Sequence, residues 1–277
     1  MADNAASICI DGYNLSLPEG TGVATYGFGL AKTAKEMGHS VSGMFGLASG
    51  SKVETRELLF FEHFGRGNSY WNRKAMQKSV AWWFSAPWRT PKIFEVPQTG
   101  LVETRGFSGR LPEFDRIFSS PFLFQIAAAH FRIFGSFLNI KVPNPPSIMH
   151  WTYPLPERLH GAKNIYTLHD LVPLRLPYTT EDDKKYYYRL NDNCVKFGDH
   201  ICTVSEASKN DILMRWPDAE SKISNTYQLS PIPAELYGKS SQESADIINS
   251  QFKLNYKEYF LFFGAIDPKK NISRIID

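Results

Sequence analysis

Two histidines at the ends of apolar runs that resemble strands are the side chains best placed for chemistry. His169 follows NIYTL, and His150 ends SIMH. Ligands of open α/β sheets bind beyond the carboxyl ends of the strands. We therefore predict that His169 lies at a ligand site and is the first candidate for a catalytic residue, although a lone histidine is more often structural. His150, Tyr153 and Asp170 are candidates for an adjoining pocket, although a structural role explains His150 equally well.

The loop Gly20-Thr21-Gly22 lies between the first predicted strand, SICIDGYNL, and the first predicted helix. Glycines there allow backbone N–H groups to approach an anion at the helix N-terminus, where the helix dipole favours negative charge. The G-x-G-x-x-G spacing is missing and no acidic residue is placed to bind a ribose, so a nicotinamide-binding domain is a poor fit. The alternative is a plain tight turn.

The end of the chain, YFLFFGAIDPKKNISRIID, contains a second candidate for anion binding. Its apolar run Tyr259–Phe263, closed by Gly264, predicts a buried strand, and Asn271 is a candidate cap for the helix after it. Lys269 and Lys270 lie in the turn between them. A lysine in this position acts as a point charge for a diphosphate.

The remaining pattern predicts an α/β fold with a parallel sheet flanked by helices. SICIDGYNL, the helix in GTGVATYGFGLAKTAKEMGH and HSVSGMFGL form a strand–helix–strand unit, which implies a parallel pair with a right-handed crossover. Helices are also predicted in PFLFQIAAAHFRIFGSFL, in TEDDKKYYYRLNDNCVKFG and after an N-cap at Ser205. Residues 50–146 are less regular, and the polar, serine-rich residues 238–255 suit a linker or mobile loop.

Composition excludes several classes of protein. A net charge of +3 over 277 residues does not by itself indicate nucleic-acid binding. Three scattered cysteines make neither a disulfide framework nor a metal site, so a reducing cytoplasm is the simplest compartment. We expect no signal peptide and no membrane span. Isolated histidines and the lack of an Asp-x-Asp motif predict no metal and no cofactor.

Four stretches, in this order, resemble the retaining glycosyltransferases of family 4. They are GTGVATYGFGLAKTAKEMGH, HWTYPLPERLHGAKNIYTLHDLVPLRLP, ICTVSEASKNDIL and YFLFFGAIDPKKNISRII. That family has two Rossmann-like domains facing each other, the GT-B fold. The likeness covers most of the chain but is weak over residues 50–145.

The resemblance implies a division of the chain and an activity. Residues 1–237 would form the acceptor-side Rossmann-like domain, 238–256 a linker, and 257–277 the start of the domain that binds the nucleotide-sugar donor. We expect the rest of that domain to follow Asp277, so residues 1–277 alone would be inactive. The implied reaction transfers a hexose, with a lean toward mannose, from a nucleotide sugar to a glycan or lipid-linked glycan. Such a reaction serves the synthesis of cell-surface polysaccharide or lipopolysaccharide.

The resemblance also implies roles for individual residues. The histidine that matches His169 faces the donor sugar, and the loop that matches Gly20, Thr21 and Gly22 lies beside the donor diphosphate. Lys270 matches a lysine that contacts phosphate. Many members carry an arginine where this chain has Ala265, which places part of the phosphate clamp in doubt.

A pair of glutamates with seven residues between them is typical of the donor domain of that family. Glu235 and Glu243 have this spacing but precede the predicted donor domain, so we interpret the match as chance.

Two other functions remain open at this point. The first is a nucleotide-sugar epimerase or a glycan phosphorylase, since both share the two-domain architecture. The second belongs to a different class, a non-catalytic module that binds the acceptor, because the fold alone does not determine the function.

The segment between His63 and Phe94 predicts a membrane-surface helix. It contains six basic residues, no acidic residue and four of the six tryptophans. On a helical projection Trp71, Trp82 and Trp83 share one half, and Lys74 and Lys78 lie on the other. Basic helices with tryptophans bind the interface of anionic membranes. This pattern predicts a cytoplasmic protein that is peripheral at the inner face of the membrane, although packing of the tryptophans on the core explains it as well.

Sedimentation with vesicles tests this segment. We expect the chain to co-sediment with anionic vesicles, because each basic residue adds roughly 1 kcal/mol near such a surface. High salt should weaken this binding, and replacement of Trp82 and Trp83 by serine should abolish it. Equal recovery in the supernatant with neutral and anionic vesicles at low salt would refute the prediction.

Overall fold

A computed structural model describes residues 5–17, 21–66, 85–229, 238, 240–264, 266 and 270–276. Its central feature is an eight-stranded sheet in which all pairs are parallel except β3 with β4. The strands are β1 Ser7–Asp11, β2 Ser40–Phe45, β3 Phe94–Val96, β4 Arg116–Ser119, β5 Leu138–Ile140, β6 Ile148–Trp151, β7 Glu157–Leu159, β8 Lys163–Thr167, β9 His200–Thr203 and β10 Ile223–Asn225. β5 and β7 form a separate parallel pair.

Six helices of ten or more residues lie within the described ranges. They are α1 Gly22–Glu36, α2 Val53–Arg66, α3 Leu123–Phe134, α4 Lys184–Phe197, α5 Glu206–Arg215 and α6 Ser241–Phe252. Side-chain caps fix several starts: Thr21 accepts from the N–H of Ala24, Asp183 begins α4, and Ser205 begins α5 as predicted. The α/β class with a mostly parallel sheet and flanking helices is therefore confirmed.

The order of the strands reverses beside β1. The sheet runs β10-β9-β8-β6-β1-β2-β4-β3, so the chain first builds outward from β1 through β2 and then crosses to β6 on its other side. Ile10 on β1 lies in register with Gly43 on β2 and with His150 on β6. The carboxyl ends of β1 and β6 therefore diverge into different connections, which leaves a crevice above them.

Alternating side chains along the central strands form two cores. Ile10, Phe45 and Ile117 belong to the core that contains residues of α1 and α2. Their chain neighbours Cys9, Met44 and Phe118 belong to the core shared with α3, α4 and α5. The period of two in these strands thus produces three layers, with helices on both faces of the sheet.

Residues 50–146 are more regular than the sequence indicated. They contain α2, α3 and the strands β3, β4 and β5. The strands have three or four residues each, too few to produce a clear alternation.

Two predictions near the end of the chain were wrong. Residues 238–255 are not a loop, since Ser240 and Glu243 form a capping box that starts α6. Tyr259–Phe263 is not a buried strand: Phe260 is 98% exposed, and no strand is assigned there. An isolated strand has no partner for its backbone groups, so apolar composition alone does not make one. The capping role of Glu243 also agrees with reading its spacing from Glu235 as chance.

Residues 67–84 of the membrane-surface segment lie outside the described residues, and they include Trp71, Lys74, Lys78, Trp82 and Trp83. Among the helices that the structure does describe, none has the length and apolar character to cross a bilayer.

Glu157 on β7 is an uncompensated polar group in the interior. The side chain is fully buried, and neither carboxyl oxygen has a hydrogen-bond partner among the described residues. Burial, reinforced by the charge of Asp11, raises the pKa of Glu157 well above its ordinary value of 4.5. The folded protein therefore keeps this group protonated at a pH where the unfolded chain has lost the proton.

Substitution of Glu157 by Gln should flatten the pH dependence of stability. Because the pKa of Glu157 is raised in the folded state, its contribution to the free energy of unfolding is fully present below pH 4.5. That contribution is lost as the pH rises from 4.5 toward the folded pKa. The loss is about 1.4 kcal/mol per pH unit for one proton. Denaturant unfolding between pH 4 and 8 should show that Glu157→Gln lacks this slope, whereas the exposed control Glu220→Gln keeps it. Parallel curves for Glu157→Gln and the unsubstituted chain would contradict the assignment.

Candidate functional site

Asp11 ties the two strands at the reversal of the sheet. It is the last residue of β1 and is fully buried. One of its carboxylate oxygens accepts hydrogen bonds from the backbone N–H and the hydroxyl of Thr152, the latter at 2.8 Å, and the other accepts from the N–H of Tyr13 at 3.2 Å. Burial raises the pKa of Asp11 from 3.8 to about 6, while the bonds from Thr152 act in the opposite direction.

Thr152 in turn fixes the orientation of His169. The His169 Nε2 lies 2.8 Å from the carbonyl oxygen of Thr152. Because a carbonyl only accepts, Nε2 carries the proton, and Nδ1 is the nitrogen left to accept a hydrogen bond. Burial lowers the pKa of His169, so the ring is neutral near pH 7. From the other side, the Ser208 hydroxyl donates to the His169 carbonyl at 2.6 Å.

A second set of contacts holds Tyr26 of α1 against the sheet. Its ring meets the His169 ring edge-on, with centroids 5.2 Å apart. Its hydroxyl lies 3.0 Å from the Thr167 hydroxyl, which is 2.7 Å from Nε2 of His150. Although Tyr26 is buried as a packing residue would be, its polar end belongs to this network. His150 is buried beneath it, with its pKa lowered to about 4 mainly by burial.

His169 is the member of this network that lines a cleft of about 300 Å³ at the carboxyl ends of β6 and β8. We call it the His169 cleft. Its lining joins three of the predicted residues, Tyr153, His169 and Asp170, with Val23 from the first turn of α1. His150 does not line it, because its side chain is directed into the interior toward Thr167.

The loop that contains Thr21 and Gly22 leads directly into the His169 cleft. Thr21 caps α1, and Val23 two residues later lines the His169 cleft. No acidic side chain lies in the first turn of α1, so its N-terminus keeps the favourable potential for an anion. Gly22 is the first helical residue, and a Cβ there would meet no atom within 4 Å. Gly20 lies outside the described residues.

Lys270, the remaining predicted site residue, is exposed and is not among the residues that line the His169 cleft. Neighbouring Lys269 and Ala265 lie outside the described residues, so the predicted phosphate clamp is described only in part.

Within the described ranges, no group of three or more His, Cys, Asp or Glu side chains is close enough to hold a metal ion. The chemistry available in the cleft is therefore that of hydrogen bonding and fixed dipoles: a neutral imidazole, the carboxylates of Asp170 and Asp182, and a helix N-terminus.

No protein-family model matches this chain. The search of curated proteins found no significant match either. The arguments about function consequently depend on the geometry of the cleft and on the sequence resemblance.

Sequence reasoning missed the residues that orient His169. Asp11 was placed in the first predicted strand without a role and Thr152 was not singled out, yet the two hold the imidazole in place. A signal was present: each is a polar residue at or directly after the carboxyl end of an apolar strand, and parallel strands end at the same edge. Pairing of β1 with β6 was not predicted, so the two residues were not brought together.

Substitution of Thr152 by Val tests this support. The shape is preserved while the hydroxyl bond to Asp11 is lost, so we expect the pKa of Asp11 to rise above about 6. The free energy of unfolding should fall by about 1–2 kcal/mol near pH 7. The higher pKa of Asp11 in the variant widens the pH range over which stability is lost as the pH rises. The difference in free energy of unfolding between Thr152→Val and the unsubstituted chain should therefore shrink toward pH 4. Carboxyl carbon NMR and denaturant titration measure both effects.

The exposed Thr104 provides the matched control, since Thr104→Val removes a hydroxyl without touching Asp11. An unchanged pKa of Asp11 in Thr152→Val would show that the bond does not stabilise the carboxylate.

Proposed function

We propose that this chain is the acceptor-side part of a retaining glycosyltransferase with the GT-B architecture. The observation that carries the proposal is a neutral His169, oriented through Thr152, in a cleft that also borders the N-terminus of α1. An imidazole with a free acceptor nitrogen suits a sugar hydroxyl, and a helix N-terminus suits a diphosphate. The four sequence stretches that resemble family 4 support the same reading.

The proposed reaction keeps the anomeric configuration through attack on a single face of the sugar. The bond from the anomeric carbon to the diphosphate breaks, and the acceptor oxygen bonds to that carbon on the same face. The proton of the acceptor hydroxyl passes to an oxygen of the leaving diphosphate. This path needs no protein nucleophile, and catalysis consists of positioning and of stabilising the developing negative charge.

Each part of the site would supply one of these requirements. His169 would hold a hydroxyl of the donor sugar on Nδ1 and so orient the anomeric carbon. The loop that includes Thr21 and Gly22, together with Lys270, would stabilise the diphosphate. The donor is a substrate, and the proposal assigns no cofactor or metal. Partners would be the nucleotide sugar, a glycan or polyprenyl-linked acceptor and an anionic membrane at the cytoplasmic face, but no nucleic acid.

A panel of nucleotide sugars, assayed with the natural full-length protein and glycan acceptors, tests the proposal. His169→Ala should lower turnover by a factor on the order of 100 while leaving the melting temperature nearly unchanged. His160, an exposed histidine, provides the control variant His160→Ala, for which we expect normal turnover.

Other outcomes would assign a different function. Conversion of a nucleotide sugar without any acceptor would indicate an epimerase, and phosphate-dependent cleavage of a glycan would indicate a phosphorylase. Glycan binding without turnover would indicate a non-catalytic module. A His169→Ala protein that folds and transfers sugar at the normal rate would contradict the role of the imidazole.

A further inference from the structure

A second compartment opens directly beside the His169 cleft. It has a volume of about 230 Å³ and lies between the connection after β1, the helices α3 and α4 and the segment after β6. We call it the aromatic groove. Tyr153, Pro154, Asp182 and Tyr187 line both compartments. The two compartments are therefore adjacent to each other.

Five aromatic residues line the groove, and several of them are held in fixed positions. Tyr13 and Tyr153 stack with centroids 6.3 Å apart, and Phe124 meets Tyr13 edge-on at 5.2 Å. The Tyr187 hydroxyl donates to the backbone carbonyl of Asp170 at 2.8 Å, and Tyr186 completes the wall. A preformed aromatic wall suits the apolar C–H face of a sugar ring, since little side-chain entropy is lost on binding.

Polar groups in the groove are acceptors for hydroxyl donors. The Oε1 atom of Gln125 is buried without a hydrogen-bond partner among the described residues. Asp182 is exposed, and no described residue donates a hydrogen bond to its carboxylate. Asp183, in contrast, is occupied in capping α4. The exposed Asp182 carboxylate is therefore the acceptor in the groove wall that a ligand hydroxyl can reach.

The charge of the aromatic groove is negative. Asp182 and Asp183 are among its lining residues, whereas no lysine or arginine is. Two cations lie nearby but line neither compartment: Lys184 donates to Thr180 at 2.5 and 2.8 Å, and Arg132 lies over the Tyr186 ring at 5.0 Å. An anionic ligand would lose hydration here without gaining an ion pair from the wall.

We propose that the aromatic groove is a subsite for an uncharged sugar ring of the acceptor and that it discriminates against acidic sugars. The proposal rests on the glycosyltransferase function only in calling the bound sugar an acceptor. Binding of a neutral sugar ring in the groove does not depend on that function. The ring stacks on the tyrosine wall, and its hydroxyls donate to Asp182. A carboxylate or phosphate on that ring is repelled by Asp182 and Asp183.

Saturation-transfer NMR of the full chain with small glycosides tests the proposal. The neutral probes are methyl α-glucoside and methyl α-mannoside. The acidic probe is methyl α-glucuronide, which differs from methyl α-glucoside by its carboxylate. We expect signals from the neutral glycosides and binding of the glucuronide that is at least tenfold weaker. Failure to bind either neutral glycoside, or equal affinity for the glucuronide, would overturn the proposal.

Two variants locate the binding. Tyr153→Ala should remove the signals, whereas Trp88→Ala, at a ring that is 67% exposed elsewhere, should preserve them. Asp182→Asn changes an exposed carboxylate and leaves the fold intact. This substitution should weaken binding of the neutral glycosides and reduce the ratio of their affinity to that of the glucuronide. Asp218→Asn should change neither quantity. Glycoside signals that survive both groove substitutions would refute the assignment.

The binding assay and the transfer assay fail independently. Neutral glycosides that bind in the groove of a protein with no transferase activity would overturn the proposed function and keep the subsite. An active transferase whose KM for the acceptor is unaffected by Tyr153→Ala and Asp182→Asn would overturn the subsite and keep the function.

Discussion

The Asp11 carboxylate joins the two strands between which the sheet reverses its order, and the candidate site is built on that junction. Its oxygens accept hydrogen bonds from the backbone N–H and hydroxyl of Thr152, directly after β6, and from the N–H of Tyr13 in the connection after β1. Removing a carboxylate from water is costly, and these hydrogen bonds recover part of that cost. The constraint is local, yet it holds two connections: the one after β6 lines both compartments, and the one after β1 lines the aromatic groove.

The same junction determines the chemical form of His169. Since Thr152 is held by Asp11, its carbonyl presents a fixed acceptor to Nε2, and the neutral ring keeps Nδ1 for a ligand. Tyr26 supports the ring from α1, and Ser208 supports its backbone from α5. Three separate elements thus orient a single imidazole. A site held from so many directions needs little rearrangement when a ligand binds.

The sequence predicted the elements that have strong local signals. The N-cap at Ser205 and the strand–helix–strand unit at the beginning of the chain were found correctly. The structure adds the caps at Thr21 and Asp183. Short strands such as β3 and β4 were missed, because three or four residues give too few alternations to detect. Tyr259–Phe263 shows the opposite error. Its composition favours a strand, but a strand is a paired structure, and no partner lies beside it among the described residues.

By itself, the sequence determined the α/β class, the helix boundaries with caps and the position of His169 after a strand, since each depends on residues close together in the chain. Only the tertiary structure decided which polar residues meet. Asp11 and Thr152 are 141 residues apart, and their contact follows from the crossover that places β6 beside β1. In the sequence both His150 and His169 come at the ends of predicted strands. In the structure the His150 side chain is buried against Thr167, whereas that of His169 lines the cleft. Side-chain direction at the edge of a sheet depends on neighbouring strands, which no local pattern records.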